Sequence, residues 1–357
     1  MLWAWAAVAM WAADAPVYRS MQSPDHPAIR YATAPTENVA ARLDLSRLTF
    51  DDRFGYLPSL LRELGISPDS QLLVFSKTSF QGARVSPANP RAIYFSAEAA
   101  VGWIPGAPLI EIAAVDPKLG PIFYTLAAER REEPRLSREK SCLQCHHGPA
   151  TLGVPGLFVG SVVPRTDGQP SRLGAIITDH RTAFKDRWGG WFVDTPAGLS
   201  ENRANAVAPD PAAPQQLEKR RPRFDTSRYL RPASDPVALM TFEHQTLVTN
   251  LLTRLHWDWA AGRIDRDLLS ETAAALASEG EAPLPVPLAG PSPFAEAFGM
   301  RRRSMATQPA RWQFDLQHGL VRHGLSFMVE SEQYRALPDG VRNELTRRLE
   351  LDRSTTP

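Results

Sequence analysis

The sequence predicts an α+β fold, with a strand-rich N-terminal half and a helical C-terminal third. Two patterns carry this expectation. Between residues 71 and 126, short runs rich in β-branched and aromatic residues alternate with Pro and Gly. Beyond residue 236, apolar residues recur at steps of three and four, the period of a helix with one buried face. The 357 residues are enough to bury a sizeable core, and 43% hydrophobic with 22% charged is ordinary for a globular chain. With 40 basic and 39 acidic side chains the formal charge is +1. That balance argues against binding nucleic acid or a membrane surface through excess charge.

Taken in order, Leu57 to Leu64 is expected as a helix stopped by Gly65. Four short strands follow at 71–76, 92–96, 109–113 and 122–125, divided by turn chemistries such as Pro87-Ala88-Asn89-Pro90 and Pro105-Gly106-Ala107-Pro108. Runs at 157–163 and 173–178 flank Thr166-Asp167-Gly168, and Asp-Gly is a strong hairpin signal. The strand-rich part therefore covers residues 16–195. Residues 196–236 hold seven Pro in 41 residues and read as a linker or long surface loop. The helical part covers 237–357. Its first helix has Asp235 as N-cap and Pro236 in the first turn, and runs to about Ala261, just before Gly262. A second helix spans 266–279 and a Pro-rich connection 282–293. The last helix runs from about Pro338 to Leu351, with Val341, Leu345 and Leu349 on one face. There is no internal repeat.

The chain has only two Cys, and both lie in Ser141-Cys142-Leu143-Gln144-Cys145-His146-His147-Gly148. This is C-x-x-C-H, the attachment signature of a c-type haem; among two Cys and eight His in a chain of this length, its chance occurrence is on the order of 1 in 8,000. The spacing suits the chemistry. Each thiol adds to one haem vinyl group, two intervening residues put both sulfurs at one edge of the ring, and the adjacent His faces the iron. Three rivals stand beside this reading. A disulfide or redox dithiol is expected to follow a strand and open a helix, whereas here a charged stretch, 129–140, precedes the motif. Zinc would need His146 and His147 to reach one tetrahedral ion, with no second ligand pair elsewhere in the sequence. The third rival is coincidence on a surface loop.

At Cys142, Cys145 and His146 the chain resembles the c-type cytochromes. The resemblance implies one covalently attached haem c per chain, with thioethers from Cys142 and Cys145 and with His146 as proximal axial ligand. It covers those three positions only. The chain is far longer than the small soluble cytochromes c, carries its motif mid-chain, and has no Met between Met21 and Met240. Neither the small-cytochrome fold nor a nearby Met ligand is therefore implied. Thr178-Asp179-His180-Arg181-Thr182 with Asp186-Arg187-Trp188-Gly189-Gly190-Trp191 also resembles uncharacterised exported bacterial proteins with a single haem, which implies no named activity.

For the sixth position on the iron, His244 is the expected ligand. With Met240, Leu247, Leu251 and Leu255 it forms one apolar helical stripe. The alternative for His244 is a core histidine bonded to a carbonyl or to a neighbour such as Glu243. His180 is the second candidate and Met328 the third, each with an ordinary packing role as its alternative. His147 is too close to His146 to reach the opposite haem face. Trp188 and Trp191 are candidates to cover a haem edge, and Arg181 and Arg187 to pair with propionates.

The N-terminus bears on where such a protein works. Residues 2–13 are wholly apolar, too short for a membrane span and suited to a signal-peptide core, so residues 1–15 are expected as a leader. Ala13-Asp14-Ala15 fits a cleavage site, Pro16 after the cut is unfavourable and leaves cleavage open, and the lack of a basic residue before the run leaves a buried N-terminal helix as the alternative. The sequence thus predicts a periplasmic or otherwise exported single-haem electron-transfer protein, docking to an unknown redox partner protein. It would meet a membrane only through that leader, and no nucleic acid. The alternatives are a haem enzyme with an open sixth position, peroxidase-like or another oxidoreductase, and a haem-based sensing or binding module. No hydrolase, phosphate-loop or dinucleotide motif is visible.

Overall fold

The computed structural model describes residues 20–355 except 195–198, 200, 221, 222, 233, 289–291, 306–312, 323 and 324. The expected leader over 1–15 lies outside the described residues. Helix α1 (Leu57–Glu63) ends where expected, with Gly65 at φ 62°, a left-handed position that glycine adopts without strain. The chain then runs through β1 (Leu72–Val74), β2 (Arg91–Phe95), β3 (Ala99–Trp103), β4 (Leu109–Asp116), β5 (Gly120–Ala127) and β6 (Leu136–Arg138). It leaves the sheet for α2 (Leu143–His146) and the hairpin of β7 (Val159–Pro164) and β8 (Pro170–Thr178), whose turn contains Gly168 at φ 86°. It rejoins as β9 (Trp191–Phe192), giving a seven-stranded antiparallel sheet in the order β6-β5-β4-β3-β2-β1-β9. Two of these strands, β3 and β9, are additions to the four that sequence patterning picks out in this sheet, and β6 is a third.

The register divides the sheet into two buried faces. Leu73, Ala92, Tyr94, Val101, Ile112 and Ile122 point to one side and pack with α1 and the segment from Ile29 to Ile66. Leu72, Ile93, Phe95 and Ala100 point to the other and share a core with Leu251, Trp188 and Leu345. Burial on both sides explains why these strands read as apolar runs rather than alternations.

Five helices complete the second layer: α3 (Pro236–Ala260), α4 (Arg266–Leu276), α5 (Pro293–Met305), α6 (Glu332–Arg335) and α7 (Asp339–Thr355). Asp235 accepts from the Val237 N–H at 2.8 Å, the cap expected from the sequence. Val341, Leu345 and Leu349 are the buried face of α7, as their spacing predicts. α5 was not expected; it begins at Pro293, where the Pro-rich connection was expected to end. In the described part of 196–236, Ala206–Val207 pairs with Glu218–Lys219, and buried Tyr229 donates its hydroxyl to the Pro90 carbonyl at 2.8 Å. This stretch is a long loop laid against the sheet, and strands and helices share one core.

α3 is buried along almost its whole length, so its polar side chains need partners inside the protein. Glu243 accepts from Arg187 Nη1 at 3.2 Å and from Trp188 Nε1 at 3.3 Å. The Arg187 guanidinium also donates to the carbonyls of Thr182 and His180 and lies 4.4 Å over the Phe184 ring. Removing the cation leaves a buried carboxylate without its counter-charge. Arg187→Leu is therefore expected to cost about 3–5 kcal/mol, read as a lower urea midpoint with an unchanged slope.

Candidate haem site

The motif occupies a single helical turn. The His146 and Cys145 amides donate to the Cys142 carbonyl at 2.9 and 3.2 Å, so Cys142, Cys145 and His146 leave one short helix together. Cys142 is half-buried against Ala113, Phe123 and Leu157, while Cys145 is exposed. Both thiols are free. Burial, then the carboxylates of Glu111 and Glu139, push the Cys142 thiol up to about 11. The motif does follow a strand, β6, and Cys142 opens α2, the context expected of a redox dithiol, but such a dithiol needs the opposite shift.

His146 is held on three sides. Its Nδ1 lies 2.9 Å from the Gly156 carbonyl, and the Gly156 amide returns a bond of 2.9 Å to the His146 carbonyl. Phe123 of β5 and Phe158, just before β7, flank the ring at 4.9 and 5.3 Å between centroids. Burial holds the imidazole down to about 4, so it is neutral at pH 7. A carbonyl only accepts, so the single ring proton sits on Nδ1 and the Nε2 lone pair is free. This is the tautomer of a metal-ligating imidazole whose other nitrogen is fixed by a second partner. His147 is engaged elsewhere, with Nε2 donating to the Gln22 carbonyl at 2.9 Å.

The surroundings suit a large apolar ring with charged edges. Ile177 pairs with Gly160 across the hairpin, and every second residue of β8, Leu173, Ala175 and Ile177, faces outward. Leu173 is 56% and Ile177 37% exposed, an apolar strand face unusual on a soluble surface. Phe158, the residue against His146, lies 3.9 Å from where a Gly160 Cβ would stand, so the strip continues to the motif. On the sheet side, Arg91 crosses Gly102 to pair with Glu111, and the charges of both reach Cys142 and His146. Among the described residues the buried Nε of Arg91 has no hydrogen-bond partner.

Most of the other residues singled out from the sequence lie in the core shared by strands and helices. His180 and His244 are brought to each other: their Nδ1 atoms are 3.2 Å apart, and His244 Nε2 is 2.6 Å from Ser326 Oγ. Both His244 nitrogens are thus taken up, leaving none for iron in this arrangement. Its place is the alternative noted above, a hydrogen-bonded core histidine whose neighbour is His180 rather than Glu243. Met328 is buried in the 3-10 turn Phe327–Glu330, its amide donating to Ser326 Oγ. Trp188 is fully buried in the same core, and Trp191 donates to the Gly160 carbonyl at 2.8 Å. Arg181 pairs with Asp179. Phe123, Phe158, Gly156 and the β8 face were not foreseen. Phe158 and Gly156 lie close to the motif in sequence, but Phe123 comes to it only through the sheet. Among the described residues no group of three or more His, Cys, Asp or Glu is gathered to hold a metal ion.

Comparison with known proteins gives no matching family model, no matching curated protein and no matching solved structure. Among the described residues no helix is long and apolar enough to cross a membrane.

Proposed function

We propose that this chain is a single-haem c-type cytochrome that carries electrons in an exported compartment. The observation that carries the reading is the free Nε2 lone pair of a neutral His146, fixed through Nδ1 on the same helical turn as Cys142 and Cys145. Cys142 and Cys145 would anchor the ring by adding S–H across its two vinyl groups, a step that needs no oxidant because each thiol hydrogen ends on the neighbouring carbon. His146 would ligate the iron, the outward face of β8 would cover apolar ring surface, and the orphaned Arg91 Nε offers a charge-assisted bond to a propionate. Bound there, haem supplies a one-electron Fe(III)/Fe(II) couple whose potential depends on ligation and burial.

One observation favours a second reading. Both nitrogens of His244, the first-choice sixth ligand, are engaged, with His180 and with Ser326. The sixth position would then stay open to a small ligand, as in a haem enzyme or gas sensor. Both readings are tested by producing the chain with a haem-maturation system. Intact mass is expected to rise by one haem and to keep it after denaturation. A mass equal to the apoprotein, or to apoprotein less two hydrogens, overturns both. A low-spin spectrum of the ferric protein then favours electron transfer, and a high-spin one the open site.

A further inference from the structure

Ten residues after the motif's histidine, Gly156 holds that histidine; the question is what holds Gly156. Asn250, just past the middle of α3, reaches the next residue with both ends of its amide. Its Oδ1 accepts from the Leu157 N–H at 2.9 Å, and its Nδ2 donates to the Leu157 carbonyl at 2.7 Å. The side chain thereby stands in for one rung of a β-ladder, and Asn250 itself is buried. It also approaches Gly156 so closely that a Cβ there would lie 2.2 Å from Oδ1. Gly156 is therefore the only residue type that fits beneath the amide. One turn further on, Arg254 donates to the Leu152 carbonyl at 2.9 Å and the Ser20 carbonyl at 2.7 Å, so α3 grips the loop at both ends.

From this chain of contacts we infer that Asn250 is a positioning residue for the His146 imidazole. It acts through the Gly156 carbonyl, fixing the ring's orientation and keeping its proton on Nδ1. The inference rests on the haem reading only where iron is concerned; the tautomer of His146 is a property of the chain alone. The nearest charged groups, Arg91 and Glu111, stand on the sheet side and make no hydrogen bond to the ring, so they leave the choice of nitrogen to Gly156. In the matured protein a weaker Nδ1–H bond makes the imidazole a poorer donor to the iron. The ferric state is then stabilised less and the potential rises.

The test uses the full chain in both forms. In the haem-free protein, nitrogen NMR of the His146 ring is expected to show the Nδ1–H tautomer alone, and a mixture of tautomers in Asn250→Ala. Asn250→Leu, of similar volume but with neither donor nor acceptor, serves if Asn250→Ala does not fold, and is expected to give the same mixture. Leu251→Ala, a truncation in the neighbouring core, is the control for loosened packing and should leave the tautomer unchanged. In the matured protein the midpoint potential should shift upward in the Asn250 variants and not in Leu251→Ala. A single Nδ1–H tautomer retained in both Asn250 variants overturns the inference, as does an equal change in Leu251→Ala. If the wild-type chain takes up no haem, the haem reading fails while the tautomer comparison still decides the role of Asn250.

Discussion

Cys142→Ala combined with Cys145→Ala is expected to emerge from haem maturation at the apoprotein mass and to melt below the matured wild type. Each single variant should retain one thioether. The loss of mass follows from the absence of any other Cys in the chain. The loss of stability follows from the surface that the ring would cover. Leu173 and Ile177 stand in water without it, and a ligand held only by the native state stabilises that state. A double variant that gains one haem mass would place the attachment elsewhere. One that melts with the matured wild type would mean that the ring lies off the β8 face.

The haem-free protein is expected to lose stability as pH falls from about 6.5 towards 4. Burial holds His180 and His256 down to about 4 and His244 well below its usual value. In the unfolded chain all three regain an ordinary value near 6.5 and bind protons that the folded chain refuses. Their contribution is thus fully present above about 6.5 and falls away as the pH approaches the folded values. For His180 and His256 a shift from about 6.5 to about 4 is worth on the order of 3 kcal/mol each, and His244 adds in the same direction. Burial pushes Glu243 upward against the pull of Arg187, which contributes in the opposite sense. Urea midpoints measured every half pH unit check this. A flat profile between pH 7 and 5 would contradict neutral buried imidazoles, and His244→Gln should flatten the wild-type slope while lowering the midpoint at pH 7.

Much of the fold is legible because local chemistry and tertiary packing agree. Asp235 with Pro236 starts α3, Gly65 stops α1, and Asp167-Gly168 turns the hairpin, each by a device that acts within a few residues. β3 escapes because Ala99-Ala100-Val101-Gly102-Trp103 is mostly small residues with weak strand preference; neighbours on both sides impose the strand. β9 is two residues long and exists because β1 has a free edge for it. In the site, Cys142, Cys145 and His146 are readable because their chemistry fixes their spacing. The partners of His146 are not, because Phe123 and Asn250 arrive from distant elements; Asn250 meets Leu157 across 93 residues. The helical stripe that singled out His244 does report burial, and burial is what it has. A stripe names the face that turns inward, and here that face meets His180 and Ser326.

The path of the chain between β6 and β9 has a mechanical side. The sheet is left at one edge and rejoined at the other, so the stretch bearing the motif and the hairpin is a strap drawn across one face and buckled at both ends. At β6 three residue pairs hold the buckle, and at β9 only two. A force that lifts the exposed hairpin therefore meets Trp191 and Phe192 on one side, and on the other the grip of Asn250 and Arg254 ahead of the motif. Unzipping begins at the edge farthest in sequence from the cysteines, and the short helix that carries them is the last part of the strap to feel the slack.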